Sequence, residues 1–293
     1  MPGGKLGLKL PHHDSLQAEI VKVFEPFTLS SVMLVQLQVA ATPSVSEELP
    51  GLVVLKVYDR RFATQFRQDY NASPWSVETE QQYRQFLSSR DGEKFVARLK
   101  DEYYGMSEVV KIQNDAARLE VYLDHCLQEM FDAEVEVYNA LSEIQGKCIP
   151  QLYSTVSVQD GDKSSTIQGI LLQYLDGFSL VDISLHAPKD HWQSIGDDAI
   201  GIIHYLNSKD IMNEDVSRKN FLVCKDEKYQ VFMIDFALCQ FRKDVDDDEL
   251  WWEDKSIYDE EGRVGYSLQR SLKPDFIYHR SELYNKLDEK FKS

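Results

Sequence analysis

The hydrophobic pattern changes twice along the chain. From Ala18 to Val23 and from Ser31 to Val39, apolar and polar residues alternate in part, as in half-buried strands. Leu52 to Tyr58 is almost wholly apolar and reads as a third strand. Residues 24–30 connect the first two runs, and three consecutive strands predict an antiparallel sheet. From Arg60 to about Leu141 the spacing changes to three and four, with Tyr83, Phe86 and Leu87 on one face and Met130, Glu134 and Tyr138 in a later row. About three helices are expected there, packed on one side of the sheet, with Ile149-Pro150 ending the last. Leu152 to Val158 and Ile167 to Tyr174 are again strand-like, joined by a turn at 159–165. Trp192 to Leu206 predicts an amphipathic helix, and Asn220 to Cys224 and Val231 to Ile234 two short strands. The region from Arg242 onward is charged, with an acidic run at 244–249.

Charge narrows the function. The chain has 293 residues, with 32 Lys and Arg against 49 Asp and Glu, a formal charge of −17. Such a surface disfavours nucleic acid and anionic membranes as partners. The chain is 43% hydrophobic and 11% aromatic, which argues for a packed core. No run reaches the roughly 20 apolar residues of a membrane helix, and no secretory leader is expected. Cys126, Cys148, Cys224 and Cys239 lack Cys-x-x-Cys spacing, so they read as reduced thiols of a cytoplasmic or nuclear protein. Asn71-Ala72-Ser73 then has no meaning as a glycosylation site. The pair His12-His13 lacks metal-ligand spacing and reads as solvated.

Three segments carry chemistry together. Lys56 interrupts an apolar strand; alone it reads as a snorkelling side chain. Asp215 and Asn220 stand five apart in a polar loop that enters a strand, and Asp235 ends the strand after it. Each aspartate alone reads equally as a turn cap. As a set they suit phosphoryl transfer. Asp235 and Asn220 supply oxygens for magnesium, Asp215 can orient and deprotonate a hydroxyl, and Lys56 can hold phosphates. A lysine in an apolar sheet needs an acid, which the helix at residues 131–134 can provide as Glu134.

This order and spacing resembles the protein-kinase-like superfold. The resemblance covers roughly residues 17–265, and Val57 to Ala63 and Leu141 to Pro150 are phrases similar to those of fungal kinase-like proteins. It implies an α+β, two-lobed fold with an antiparallel N-lobe sheet, a helical insertion after the third strand and a helical C-lobe. The implied domains are residues 1–174, with the insertion at about 60–130, and a truncated C-lobe at 175–293. It implies ATP and magnesium as cofactors, and a phosphate acceptor that is a protein or small-molecule hydroxyl. Lys56, Glu134 and Asp215 become catalytic, Asn220 and Asp235 metal-binding. Gln173, Tyr174 and Leu175 become an adenine-binding hinge, with Glu136 the alternative to Glu134. The sequence also departs from the pattern. No glycine lies between Phe24 and Met33, so Ser30 and Ser31 are the candidate phosphate donors in that loop. Asn213-Glu214 replaces the usual His-Arg, and no Ala-Pro-Glu follows Asp235. These departures bring the pattern closer to aminoglycoside- and choline-kinase-like proteins. They also leave open a pseudokinase, which binds without catalysis.

Overall fold

The computed structural model describes residues 1–11, 15–38, 49–101, 106–159, 166–225 and 229–291. The His12-His13 pair, Val39 and the turn at 160–165 lie outside the described residues. The chain is α+β and divides into two compact units. The first comprises Met1–Asp132 and Tyr153–Leu172; the second comprises Ala133–Leu152 and Gln173–Ser293.

In the first unit, six strands close into a barrel: β1 (Lys5–Lys9), β2 (Ser15–Phe24), β3 (Ser31–Gln38), β4 (Leu52–Val57), β5 (Leu152–Gln159) and β6 (Thr166–Gln173). Their order around the barrel is β1-β2-β3-β4-β6-β5, and β1 closes it by pairing antiparallel with both β2 and β5. A typical kinase lobe has no such closure, and here the sheet expectation changes. The strand that closes the barrel was missed in reading the sequence, although Leu6, Leu8 and Leu10 alternate with Lys5, Gly7 and Lys9. Alternation fills the interior: Leu8, Val35, Val53 and Leu55 are wholly buried there.

Helices follow β4: α1 (Thr64–Asp69), α2 (Val77–Leu87), α3 (Arg90–Asp101), α4 (Met106–Ile112) and α5 (Ala116–Ala140). Among the described residues there are five where about three were expected, and α5 ends well before Pro150. A capping box between Ser76 and Thr79 starts α2, and the Asp115 carboxylate accepts from the Arg118 N–H to start α5. A second core joins them around Tyr83, Phe95, Leu119 and Tyr122. Beside it lies an ion network. Glu120, 2% exposed, accepts from Arg60 at 3.1 Å and from Arg67 at 2.5 Å, and Arg60 also donates to Glu80 at 2.7 Å. The Arg60 guanidinium sits 3.8 Å from the Tyr83 ring centroid. These groups are buried but mutually neutralised, which is the condition for keeping charge out of water.

The second unit contains β7 (Gly177–Ser179), α6 (Ile183–His186), α7 (Trp192–Ser208), β8 (Ile211–Asn213), β9 (Phe221–Cys224), β10 (Val231–Met233), β11 (Cys239–Phe241), α8 (Asp248–Tyr258), α9 (Glu260–Leu272) and α10 (Glu282–Phe291). The expected helix near 192–206 and the two strands after Asn220 are present. The acidic run becomes a helix start, with the Asp247 carboxylate accepting from the Glu249 N–H. β10, β9 and β7 form one sheet and β11 pairs with β8. Gly196 on α7 lies against the Phe276 ring and Gly265 on α9 against the Tyr278 ring, closer than any Cβ would allow. Among the described residues, no helix is long and apolar enough to cross a membrane.

Candidate functional site

Asp215, Asn220 and Asp235 come together in the second unit because two short hairpin-like pairings bring their loops side by side. β8 ends at Asn213 and pairs with β11 beyond Asp235; β9 begins after Asn220 and pairs with β10 just before Asp235. The Ile234 N–H donates to the Asn220 carbonyl at 2.8 Å and fastens the two loops.

Asn213 is the joint between the two aspartates. It is 1% exposed. Its Oδ1 accepts from the Asp215 N–H at 3.0 Å, and its Nδ2 donates to the Asp235 carbonyl at 3.0 Å. Its own N–H donates to Glu260, whose other oxygen accepts from Lys255 and Tyr284 at 2.9 and 3.1 Å. The sequence marked Asn213 only as a departure from His-Arg, and the structure gives it a task. Asp235 has φ +69°, left-handed backbone that costs a non-glycine residue about 1–2 kcal/mol, and the Asn213 bond helps to hold it.

The Asp215 carboxyl is exposed at the loop surface, while Asp235 is half-buried. Partial burial of the loop and then the charge of Asp235 raise Asp215 above the usual carboxylate range, and Arg263 and Lys219 oppose that rise. An aspartate shifted this way is a better proton acceptor than an unperturbed one. Glu214, next to it, is raised by burial and accepts from the Tyr258 hydroxyl at 3.1 Å, while burial and the Glu214 charge push that phenol up to about 12. Arg263 donates to the Glu214 carbonyl at 3.1 Å, and Arg218 is drawn to Ser271 at 2.9 Å.

Asn220 is less free than its expected role requires. Its Oδ1 accepts from the Ser217 N–H at 2.9 Å and from the Ser217 hydroxyl at 2.7 Å, a local cap. Metal ligation by that oxygen would have to displace one of these bonds. Among the described residues, no group of three or more His, Cys, Asp or Glu is arranged to hold a metal ion.

Behind Asp235, Phe236 packs edge-on to Tyr138 of α5, with centroids 5.4 Å apart. Tyr138 is wholly buried, and burial followed by the charges of Glu134 and Asp235 raises its phenol well above the ordinary value. Its hydroxyl has no hydrogen-bond partner among the described residues. Glu134 is wholly buried, whereas Glu136 is half-exposed and ion-paired with Lys243. Of the two alternatives, Glu134 is thus the acid withdrawn from water. Gln173 gives its N–H to the Gln151 carbonyl at 2.9 Å, and Tyr174 and Leu175 beside it are half-buried.

In the first unit, Lys56 is 5% exposed and its Nζ lies 5.6 Å from the Tyr58 ring centroid. It stands opposite Val32 on β3, so its side chain points out of the barrel. Ser31 stands opposite Val57, a residue of the barrel core, and therefore faces the other way. The structure does not place Ser31 and Lys56 on one face. Ser30 is buried at the end of the loop.

Comparison with known proteins adds no relative: no family model matches the chain, and no curated protein matches it.

Proposed function

We propose that the chain is an ATP- and magnesium-dependent phosphotransferase of the protein-kinase-like kind. The observation that carries this reading is the pair of hydrogen bonds by which Asn213 accepts from the Asp215 N–H and donates to the Asp235 carbonyl, which holds the backbones of two aspartates with different environments in one loop pair. In this reading Asp235 holds the metal by its charge. Asp215 orients the acceptor hydroxyl and takes its proton. Lys56 neutralises phosphate oxygens, and Glu134 is the buried acid of α5. Tyr174 and Leu175 receive the adenine, and Lys219 supplies positive charge beside Asp215. Magnesium-ATP would supply the phosphoryl group and the electrophilic activation of that group. The acceptor is a hydroxyl of a protein or a small molecule. Ser31 has no part in this reading because it faces away from Lys56.

A second reading, binding without turnover, is favoured by one observation: the Asn220 oxygen is occupied by Ser217. One experiment separates the two. The thermal shift produced by magnesium-ATP is measured first, followed by ATP turnover of the natural chain and of Asp215→Asn. Binding together with turnover that falls in the variant supports the phosphotransferase. Binding with buffer-level turnover in both supports the binding module, and no binding removes both.

A further inference from the structure

The open end of the barrel forms a cavity, separate in its residues from the loops of Asp215 and Asp235. Its volume is about 880 Å³, within the range of small-molecule sites. Every strand contributes at least one apolar residue to its lining, among them Leu6, Val23, Met33, Val57, Val158 and Ile167. The deeper interior is solid, with Leu8, Val35, Val53 and Leu55 wholly buried, because six strands enclose too narrow a space for more than side chains. A ligand can therefore occupy the mouth and not the core.

Three observations set its chemistry. First, Ser31 lines the cavity and is 5% exposed, and its hydroxyl has no hydrogen-bond partner among the described residues. A buried hydroxyl left unpaired is costly, so an oxygen delivered there is stabilised. Second, the charged side chains at the rim balance. Asp59 takes the Arg61 guanidinium in a two-pronged pair at 2.7–3.0 Å, and Lys22 and Glu25 add one charge of each sign. The Met1 amine also lies at the rim, but Met1 is 95% exposed and its charge stays in water, so among the described residues no buried surplus cation awaits a carboxylate or phosphate. Third, Phe27 and Phe62 meet edge-on at 6.5 Å beside the opening, and Phe62 is 48% exposed, an apolar surface left in water.

We infer that the barrel mouth is a binding site for a neutral, mainly apolar small molecule that places one carbonyl or hydroxyl oxygen against Ser31 Oγ. The site does not depend on the phosphotransferase reading, since none of its residues carries a role there.

The test uses the full chain and the neutral naphthyl ketone prodan. Its emission should shift to the blue and saturate as one site. In methyl spectra of the same sample, the Met33 methyl should move in step with that saturation, while those of Met212 and Met233 stay still. Ser31→Ala should weaken prodan binding about threefold to tenfold, the worth of one hydrogen bond. It should leave the weaker binding of 2-dimethylaminonaphthalene, which lacks the ketone, unchanged. Met33→Trp should fill the cavity and abolish binding; should that variant unfold, the Met33 methyl of the natural chain still decides the location. The inference is overturned by unsaturable binding, by movement of the Met212 or Met233 methyl in place of Met33, or by Ser31→Ala binding prodan as tightly as the natural chain does.

Discussion

Asn213 Nδ2 lies 3.0 Å from the carbonyl oxygen of Asp235, and Oδ1 of the same amide takes the Asp215 N–H. One buried side chain thus sets the spacing of two loops. Asn213→Ala removes both bonds and leaves a buried carbonyl and a loop N–H to find water. We expect a loss of about 2–4 kcal/mol in urea unfolding. Magnesium-ATP affinity should fall as well, because Asp235 then relaxes from its left-handed backbone. Unchanged affinity at an equal folded fraction would detach Asn213 from the site.

Asp235→Asn should abolish magnesium-dependent nucleotide binding while the melting temperature stays within a few degrees. An amide keeps the shape and lacks the charge that a hard cation prefers. Calorimetry with ATP, with and without magnesium, measures it. Equal affinities in the variant and the natural chain would make Asp235 a structural turn.

Asp215→Asn should hold nucleotide affinity within a few-fold and lower single-turnover transfer by roughly 10²–10⁴, the usual worth of a positioned base. A loss of thermal stability with no specific loss of rate would instead give Asp215 a purely local role in its loop.

Glu80 predicts an acid-sensitive helical insertion. Burial alone would raise its carboxyl, but the bonds from Arg60, Arg84 and Trp75 outweigh burial and hold it at about 2. The folded value lies below the unfolded one. Its contribution is therefore complete above about pH 5 and lost as pH falls toward 2. It amounts to about 3 kcal/mol at most. Glu80→Gln should flatten the stability-against-pH curve of the first unit between pH 5 and 2, as read by hydrogen exchange of α2 and α5. An unchanged slope would show that Glu80 does not govern that transition.

Tyr138 offers the opposite sign. Its hydroxyl is buried among acids without a hydrogen bond. Tyr138→Phe removes an unsatisfied polar atom and keeps the ring on Phe236. Stability should be unchanged or rise by up to about 1 kcal/mol. A drop of 2 kcal/mol or more would mean that the hydroxyl has a partner in solution.

How far the sequence could be read follows from the range of its signals. Trp192–Ser208 was legible because a long amphipathic stretch carries its own period. The loops of Asp215 and Asp235 were legible because each leads into or out of a short apolar strand. The closure of the barrel was not. Leu6, Leu8 and Leu10 alternate, but nothing local says that β1 will pair with β5, which lies far along the chain. Nor could alternation tell which face of β3 Ser31 would take, since a shift of one residue in register reverses every side chain. Asn213 escaped for another reason. It works by bonding to the backbone of Asp235, and backbone partners leave no trace in side-chain spacing.

The rings of Phe276 and Tyr278 press on Gly196 of α7 and Gly265 of α9, where no side chain could fit. The consequence lies in synthesis. α7 is translated well before residue 276, and until Phe276 emerges that helix carries a bare glycine groove awaiting its aromatic plug, whereas α9 ends only a few residues before its own ring, Tyr278. A nascent chain that has released α7 but not Phe276 would present that groove to chaperones. The helical unit completes its core only after these rings, and then Tyr284 and Leu287 of α10, have left the ribosome.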